Sequence, residues 1–294
     1  MFWKKYIAGV SGGPDSMALL NMFKKKIVAV CHVNYCKRSS SMRDEKIVEN
    51  FCKKNQIIFF CLRVSKNNYE CGKSNNFQHQ ARQIRYDFYE KCAQKVRCWN
   101  VLTGHNLDDS LETAYDQINR RVITTFYGIR KKNFYRSIKI YRPLIYIRKK
   151  ALERYCQSLG IEFGVDETNF SDIYKRNLNR KIIAKWSPEK FLLFCSEIRK
   201  KNCELKKINR NIMKNYRQWK KSKHDLQFLL NLSINIRHFI LYRWLRDNAI
   251  ECRSRKKIYL IETFINKMNQ QKKLRLQQKI FLQINNNQLS LLTM

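Results

Sequence analysis

At 294 residues the chain can bury two cores, and its 60 Lys and Arg against 23 Asp and Glu give a net charge of +37. That balance fits contact with a polyanion such as RNA, although a base composition favouring Lys, Asn and Ile codons would push the same way. Eleven cysteines occur without one Cys-x-x-Cys pair, which argues against a disulfide framework or a zinc ribbon. No apolar run reaches membrane-spanning length, and Met1-Phe2-Trp3-Lys4-Lys5 leads straight into a strand pattern with no room for a signal peptide, so a cytoplasmic protein is expected.

The first apolar run, Tyr6 to Val10, reads as a strand, and Met17 to Phe23 has helical spacing. Between them lies Ser11-Gly12-Gly13-Pro14-Asp15-Ser16, so two of only eight glycines in the chain sit in one strand-to-helix loop, with Gly9 just before it. The first N–H groups of a helix lack carbonyl partners, and glycine lets a phosphate oxygen approach the backbone with no Cβ in the way. Ser11 and Ser16 add hydroxyl donors, Pro14 suits the first helical turn, and Asp15 can hold magnesium or complement the helix dipole. The loop lacks the Gly-Lys-Ser/Thr ending of a Walker loop, which argues against γ-phosphoryl transfer.

The alternation continues with a strand at Ile27 to Val33, a helix at Arg43 to Lys54, a strand at Ile57 to Leu62 and a helix from His79 to Lys95. A strand near Val101 to Thr103, a helix from Leu107 to about Val122 and a strand at Ile138 to Tyr141 follow. This order predicts an α/β fold, a parallel sheet with helices on both faces, whose ligands bind beyond the C-terminal strand ends. The glycine loop, His32 to Tyr35 and Gly104 to Asp109 would converge there.

In Thr103-Gly104-His105-Asn106-Leu107-Asp108-Asp109-Ser110-Leu111-Glu112, helical spacing puts Asp108, Asp109 and Glu112 on one acidic patch suited to magnesium or to the ammonium of an amine substrate. His105 can donate to a phosphate or substrate oxygen, or serve only as a hydrogen-bonded strand-end residue. Arg82 and Arg85 stand one helical turn apart and could clamp a carboxylate or a phosphate. Asp166 to Asn169 and Arg176 to Arg180 add acidic and basic clusters, and Arg142-Pro143-Leu144 is uninformative alone.

From about residue 188 the pattern turns Lys/Arg-rich and helical, with a candidate hairpin at Lys279 to Leu292 around Asn285-Asn286-Asn287. Arg199 to Lys223 carries eleven basic residues and one acid, Glu204, with Tyr216 and Trp219 interleaved, which reads as a phosphate-backbone surface or as a solvated helix face. The expected division is residues 1–200 for catalysis and 201–294 for a smaller basic, mainly helical RNA-binding domain.

The string SGGPDS resembles the signature of the PP-loop ATP pyrophosphatases. Together with His32-Val33-Asn34, ARQIRY, TGHNLDDSLET, Arg142-Pro143-Leu144 and the 166–180 segment, it makes residues 6 to 185 similar to the tRNA(Ile)-lysidine synthetase family, as a short member. Tyr35 departs from the family's usual second histidine, and Glu167-Thr168 replaces Pro-Ser. The resemblance implies the adenine nucleotide alpha hydrolase-like PP-loop fold, with ATP and Mg2+ as cofactors. It implies that the wobble cytidine of a tRNA(Ile) with a CAU anticodon is adenylated, with loss of pyrophosphate, and that free L-lysine then displaces AMP. By the same resemblance Ser11, Gly12, Gly13, Pro14, Asp15, Ser16, His32, Asn34 and Gly104 would bind the nucleotide and Asp15 and Asp109 the metal. Asp15, His105, Asp108, Asp109, Glu112, Arg82 and Arg85 would form the catalytic set. A tRNA thiolase of the same superfamily, a noncatalytic RNA-binding protein, and pairing into a homodimer stay open on the sequence.

Overall fold

The computed structural model describes residues 4–36, 40–64, 77–164, 175–250, 252, 255–267 and 273–293. The segment 166–169 therefore lies outside the described residues, as do the side chains of Arg176 and Asn177. The fold divides into two compact units, residues 1–113 with 128–182, and residues 114–127 with 183–294.

In the first unit, strands β1 (Tyr6–Gly9), β2 (Ile27–Asn34), β3 (Ile58–Arg63), β4 (Asn100–Thr103), β5 (Lys132–Tyr135) and β6 (Ile138–Tyr141) form one sheet in the order β3-β2-β1-β4-β6-β5. All neighbours pair in parallel except β5, which runs antiparallel to β6 at the edge. The strand expectations stand to within a residue or two, and β5 is an addition to them. Lys132-Asn133-Phe134-Tyr135 gives no apolar alternation, because an edge strand with an exposed face needs none.

Helices α1 (Pro14–Phe23), α2 (Ser41–Lys54), α3 (Phe77–Lys95), α4 (Leu107–Asn119) and α5 (Lys149–Ser158) connect or follow these strands. Alternate residues of the strands feed opposite cores, as a doubly covered sheet requires. Ile7, Ala29, Val101 and Ile140 pack with Tyr86, Tyr89 and Cys92 of α3, whereas Ala8, Val30 and Leu102 pack with Leu19 of α1, Val48 of α2 and Leu152 of α5. The crossovers return every parallel strand in the same sense, so the β1–α1 and β4–α4 loops and the end of β2 meet at one edge.

Helix α6 (Lys175–Ala184) runs across the division between the units. The second unit holds α7 (Pro188–Lys221), α8 (Leu226–Leu230), α9 (Ile234–Asp247) and α10 (Arg255–Asn266) with an antiparallel sheet of β7 (Leu274–Gln277), β8 (Ile280–Asn285) and β9 (Gln288–Thr293). Its core joins Trp219, Trp244, Leu226, Leu241, Ile258 and Leu282. The expected terminal hairpin is present: Asn285 pairs with Gln288, and Asn286 and Asn287 take the left-handed conformation that a two-residue turn demands. The expected boundary at residue 200 falls inside α7, which Ser187 caps at Lys190 N–H, so no break in the chain's structure exists there. Among the described residues no helix is long and apolar enough to cross a membrane, and every cysteine is a free thiol.

Candidate active site

The glycine loop is held in shape by its own hydrogen bonds. Ser11 N–H donates to Ser16 Oγ at 3.2 Å, and the Ser16 hydroxyl donates to Gly13 O at 2.9 Å. Gly13 in turn accepts the N–H groups of Ser16 and Met17, starting α1 with Pro14 at its first position. Gly12 has φ +93°, the left-handed region that favours glycine, and a Cβ there would meet Asp44 at 2.9 Å. The N–H groups of Gly12 and Gly13 are left without a protein acceptor among the described residues, facing the role expected of an anion cradle.

A cavity of about 460 Å³ opens beside this loop, between the ends of β1, β2 and β4. Ser11, Gly13, Asp15, Ser16, His32, Asn34, Arg82, Arg85, Gly104, His105 and Asp109 all line it, so the structure brings together most of the residues that the sequence picks out. Gly104 is needed for packing: a Cβ would lie 3.1 Å from the backbone of Asp15 and Ser16.

Asp15 stands out electrostatically. Burial, and then the charge of Asp109, push its carboxyl up to about 7, against the opposing Lys149 charge and a hydrogen bond from Asn106. Its Oδ1 is buried with no hydrogen-bond partner. Asp109 sits at the third position of α4, where its Oδ2 accepts Asn106 N–H at 3.1 Å while Asn106 Oδ1 accepts Asp109 N–H at 2.9 Å. This reciprocal cap fixes Asp109 at the cavity wall and starts the helix.

The acidic patch expected on α4 does not form as one cluster. Asp108 turns away to Arg148, whose Nε donates to Oδ1 at 3.1 Å, and it accepts Lys149 N–H at 2.7 Å, so it caps α5 and does not line the cavity. Glu112 is 4% exposed and takes Arg180 Nε at 2.8 Å. Mutual repulsion among the three carboxylates is thereby relieved by two arginines, distant in sequence, that helical spacing alone does not reveal.

The opposite wall comes from α3. Arg82 stacks on Tyr86, 4.7 Å from the ring centroid, and Arg85 Nε donates to Ala81 O. Gly9 leaves room for Tyr89, since a Cβ there would lie 2.2 Å from the tyrosine oxygen. His32 is buried, and its Nδ1–H donates to Val10 O at 2.9 Å; burial lowers its pKa despite that bond, leaving Nε2 as an acceptor ill suited to a phosphate oxygen. Asn34 is committed within the fold: its amide donates to Glu45 Oε2 at 2.7 Å and to Ser41 O, and its Oδ1 accepts Cys36 N–H. It lines the cavity as a strut, with its donors already spent. Thr103 Oγ1 lies 3.0 Å from His105 Nδ1 and orients that ring.

Asp44 and Gly164 escape the sequence reading, and Arg180 and Arg142, seen there only within a basic cluster and a short string, acquire partners. Asp44 reaches over Gly12 and the cavity-lining Gly164, whose N–H donates to Gly12 O at 2.9 Å and where a Cβ would lie 2.0 Å from Asp44 Oδ1. Arg180 feels the charges of Asp109 and Asp15 as well as of Glu112. Arg142 is buried behind Tyr86, donating to Arg130 O at 2.9 Å, which gives the Arg-Pro-Leu string a structural role. The signal for Gly164 was rarity of glycine; for Arg180 it was the basic cluster, whose partner could not be read from spacing.

A family model described as a PP-loop domain matches residues 3–186, and the loop, sheet order and cavity define the chain as a PP-loop protein of the ATP-utilising kind. Proteins named tRNA(Ile)-lysidine synthase match nearly end to end. That of Ureaplasma parvum is 42% identical over 97% of this chain and 86% of its own length, and that of Malacoplasma penetrans is 38% identical over 97% of each. The chain belongs to the tRNA(Ile)-lysidine synthase family. Among solved structures, a U34-tRNA thiolase from Methanococcus maripaludis shares the fold at 18% identity, with a TM-score of 0.57 over 70% of this chain and 74% of its own.

Proposed function

We propose that this chain is an ATP-dependent carbon–nitrogen ligase that joins free lysine to the wobble cytidine of the tRNA(Ile) with a CAU anticodon, in the cytoplasm, giving lysidine, AMP and pyrophosphate. The names of its relatives support the reaction. The observation that carries the mechanism is the buried, unpartnered Asp15 oxygen at the foot of a loop with free N–H groups, beside a second carboxylate, Asp109.

In the first step the cytidine carbonyl oxygen attacks the α-phosphorus of ATP, the P–O bond to pyrophosphate breaks, and the leaving group is held by the N–H groups of Gly12 and Gly13. In the second, the lysine side-chain amine gives up a proton and attacks the activated ring carbon, and AMP departs with the oxygen. Asp109 attracts the incoming ammonium and accepts that proton, while Arg82 and Arg85 bind an anionic group of the substrates. Ser11 and Ser16 hold the loop in shape, and His105 donates toward a substrate oxygen. The orphaned Asp15 oxygen, with Asp109 beside it, fits a divalent cation during the first step; Mg2+ held there would neutralise charge on the departing pyrophosphate, and Asp109 would serve the amine only in the second step. Arg180 engages Glu112 in an ion pair, leaving proton transfer to Asp109. Along α7, the exposed Arg199, Lys206, Lys207 and Arg210 supply cations for the tRNA backbone.

The test is incubation of the pure protein with ATP, radiolabelled lysine and a CAU-anticodon tRNA(Ile) transcript. Label in the RNA together with one AMP per lysine is expected. Release of ADP, or RNA without label from a folded protein, overturns the reading.

A further inference from the structure

We infer that the β5–β6 edge, where Lys132, Phe134 and Lys139 are exposed and Tyr141 is half-buried, is a docking strip for the stretch of substrate RNA adjoining the nucleotide in the cavity; this rests on the reading of the chain as a tRNA-modifying enzyme. Strand register builds the strip. Lys132 pairs with Tyr141, and Phe134 with Lys139, so these four side chains share one face of the antiparallel pair. Lys4 joins them from the segment before β1: its ammonium lies 4.2 Å from the Tyr141 ring centroid and is hydrogen-bonded to that residue's hydroxyl. Lys132 lies over the same ring at 5.6 Å. No acidic residue belongs to this face of β5 or β6. Asp87 and Glu90 instead pair with Tyr135, Arg136 and Ser137, and Tyr135 is on the opposite face of the strand.

A strand edge rich in lysine is, by itself, ordinary protection against edge-to-edge pairing. Phe134 is what that explanation leaves over. It is 67% exposed in the middle of the basic strip, where a fourth polar residue would guard the edge better. An aromatic ring flanked by cations on an open sheet face suits single-stranded nucleic acid, the ring stacking on an unpaired base while the lysines follow the phosphates. The location fits as well. Tyr141 pairs with Leu102, two residues before the cavity-lining Gly104, so the strip starts one strand away from the cavity and leads outward along the sheet.

The experiment is an anisotropy titration of labelled CAU-anticodon tRNA(Ile) transcript at several salt concentrations, with lysine incorporation measured on the same preparations. Lys132→Glu/Lys139→Glu should weaken binding about tenfold or more and lower the slope of log Kd against log salt by about 1.5, as expected for two lost phosphate contacts on a single strand. The control Lys24→Glu/Lys25→Glu makes the same change in net charge and should leave both nearly unchanged. Phe134→Ala should weaken binding several-fold at an unaltered salt slope, with Phe134→Trp restoring it. Thermal melts establish that each exposed-site variant is folded. Strip variants that bind like the control, or a Phe134→Ala protein that binds like wild type, overturn the proposal. Wild type that binds tRNA through the strip yet incorporates no lysine would instead overturn the assigned reaction and leave the strip standing.

Discussion

Replacing Asp15 with Asn should stabilise the metal-free protein, and should do so in a pH-dependent way. A carboxyl whose folded pKa lies above its unfolded value favours the fold while protonated and costs stability as it is forced to ionise. The folded value is about 7 and the free value 3.8, so the cost starts near pH 4 and levels off above pH 7 at about 4 kcal/mol. Between pH 5 and pH 8 the stability advantage of the Asn variant over wild type should therefore grow by about 3 kcal/mol. Urea melts of both proteins in EDTA at the two pH values measure it, because other titrating groups cancel in the difference. An advantage that does not change with pH would show that Asp15 is not held in a burial-dominated site. Adding magnesium and ATP at pH 8 should raise the wild-type midpoint and leave that of the variant where it was, since the neutral amide removes the charge that a cation would compensate.

Gly104→Ala should reduce AMP formation by an order of magnitude or more while leaving the fold intact, because the new methyl group presses on the Asp15–Ser16 backbone at 3.1 Å; unchanged steady-state kinetics would refute it. Asn34→Ala should cost about 2 kcal/mol by stranding the Cys36 N–H and leaving Glu45 Oε2 with Arg63 as its remaining donor, with little change in the KM for ATP, and a large KM effect would restore Asn34 to nucleotide binding. Asp108→Asn should lower thermal stability modestly through the cap of α5 and spare lysine incorporation, whereas Asp109→Asn should abolish incorporation; equal loss in both would mean that Asp108 works in the cavity. Glu112→Gln leaves the Arg180 guanidinium without its buried counter-charge and should destabilise by about 3 kcal/mol, read by the same urea melts.

The sheet was legible because its strands are apolar on both faces, from Ile27-Val28-Ala29-Val30 onward, and the site because a glycine-poor chain concentrates glycines before α1. Local rules also place Asn106 and Asp109, since capping acts within one turn. What stayed hidden depends on contacts far along the chain. Helical spacing puts Asp108 and Glu112 on one face, but it cannot show that Arg148, 40 residues later, takes the first, or that Arg180, 68 residues later, takes the second. Asn34 looked available for a ligand until Glu45 of α2 claimed its amide. Helix α5, with Leu152 and Cys156 as its buried positions, passes unread in a stretch crowded with lysine and arginine.

Helix α4 begins at the capped carboxylate of the cavity and ends in the second unit, where Ile123, just beyond it, is buried among Trp219 and its neighbours. Asn202 and Asn209 of α7 hydrogen-bond the loop at Thr125 and Tyr127. The chain thus visits the second unit, comes back, and returns to stay. No single cut yields two intact pieces: a fragment ending at residue 186 would carry the 114–127 excursion stripped of everything that buries it. To isolate the nucleotide-binding half, one would have to delete that excursion and join Thr113 to Gly128, reconnecting the polypeptide across the gap.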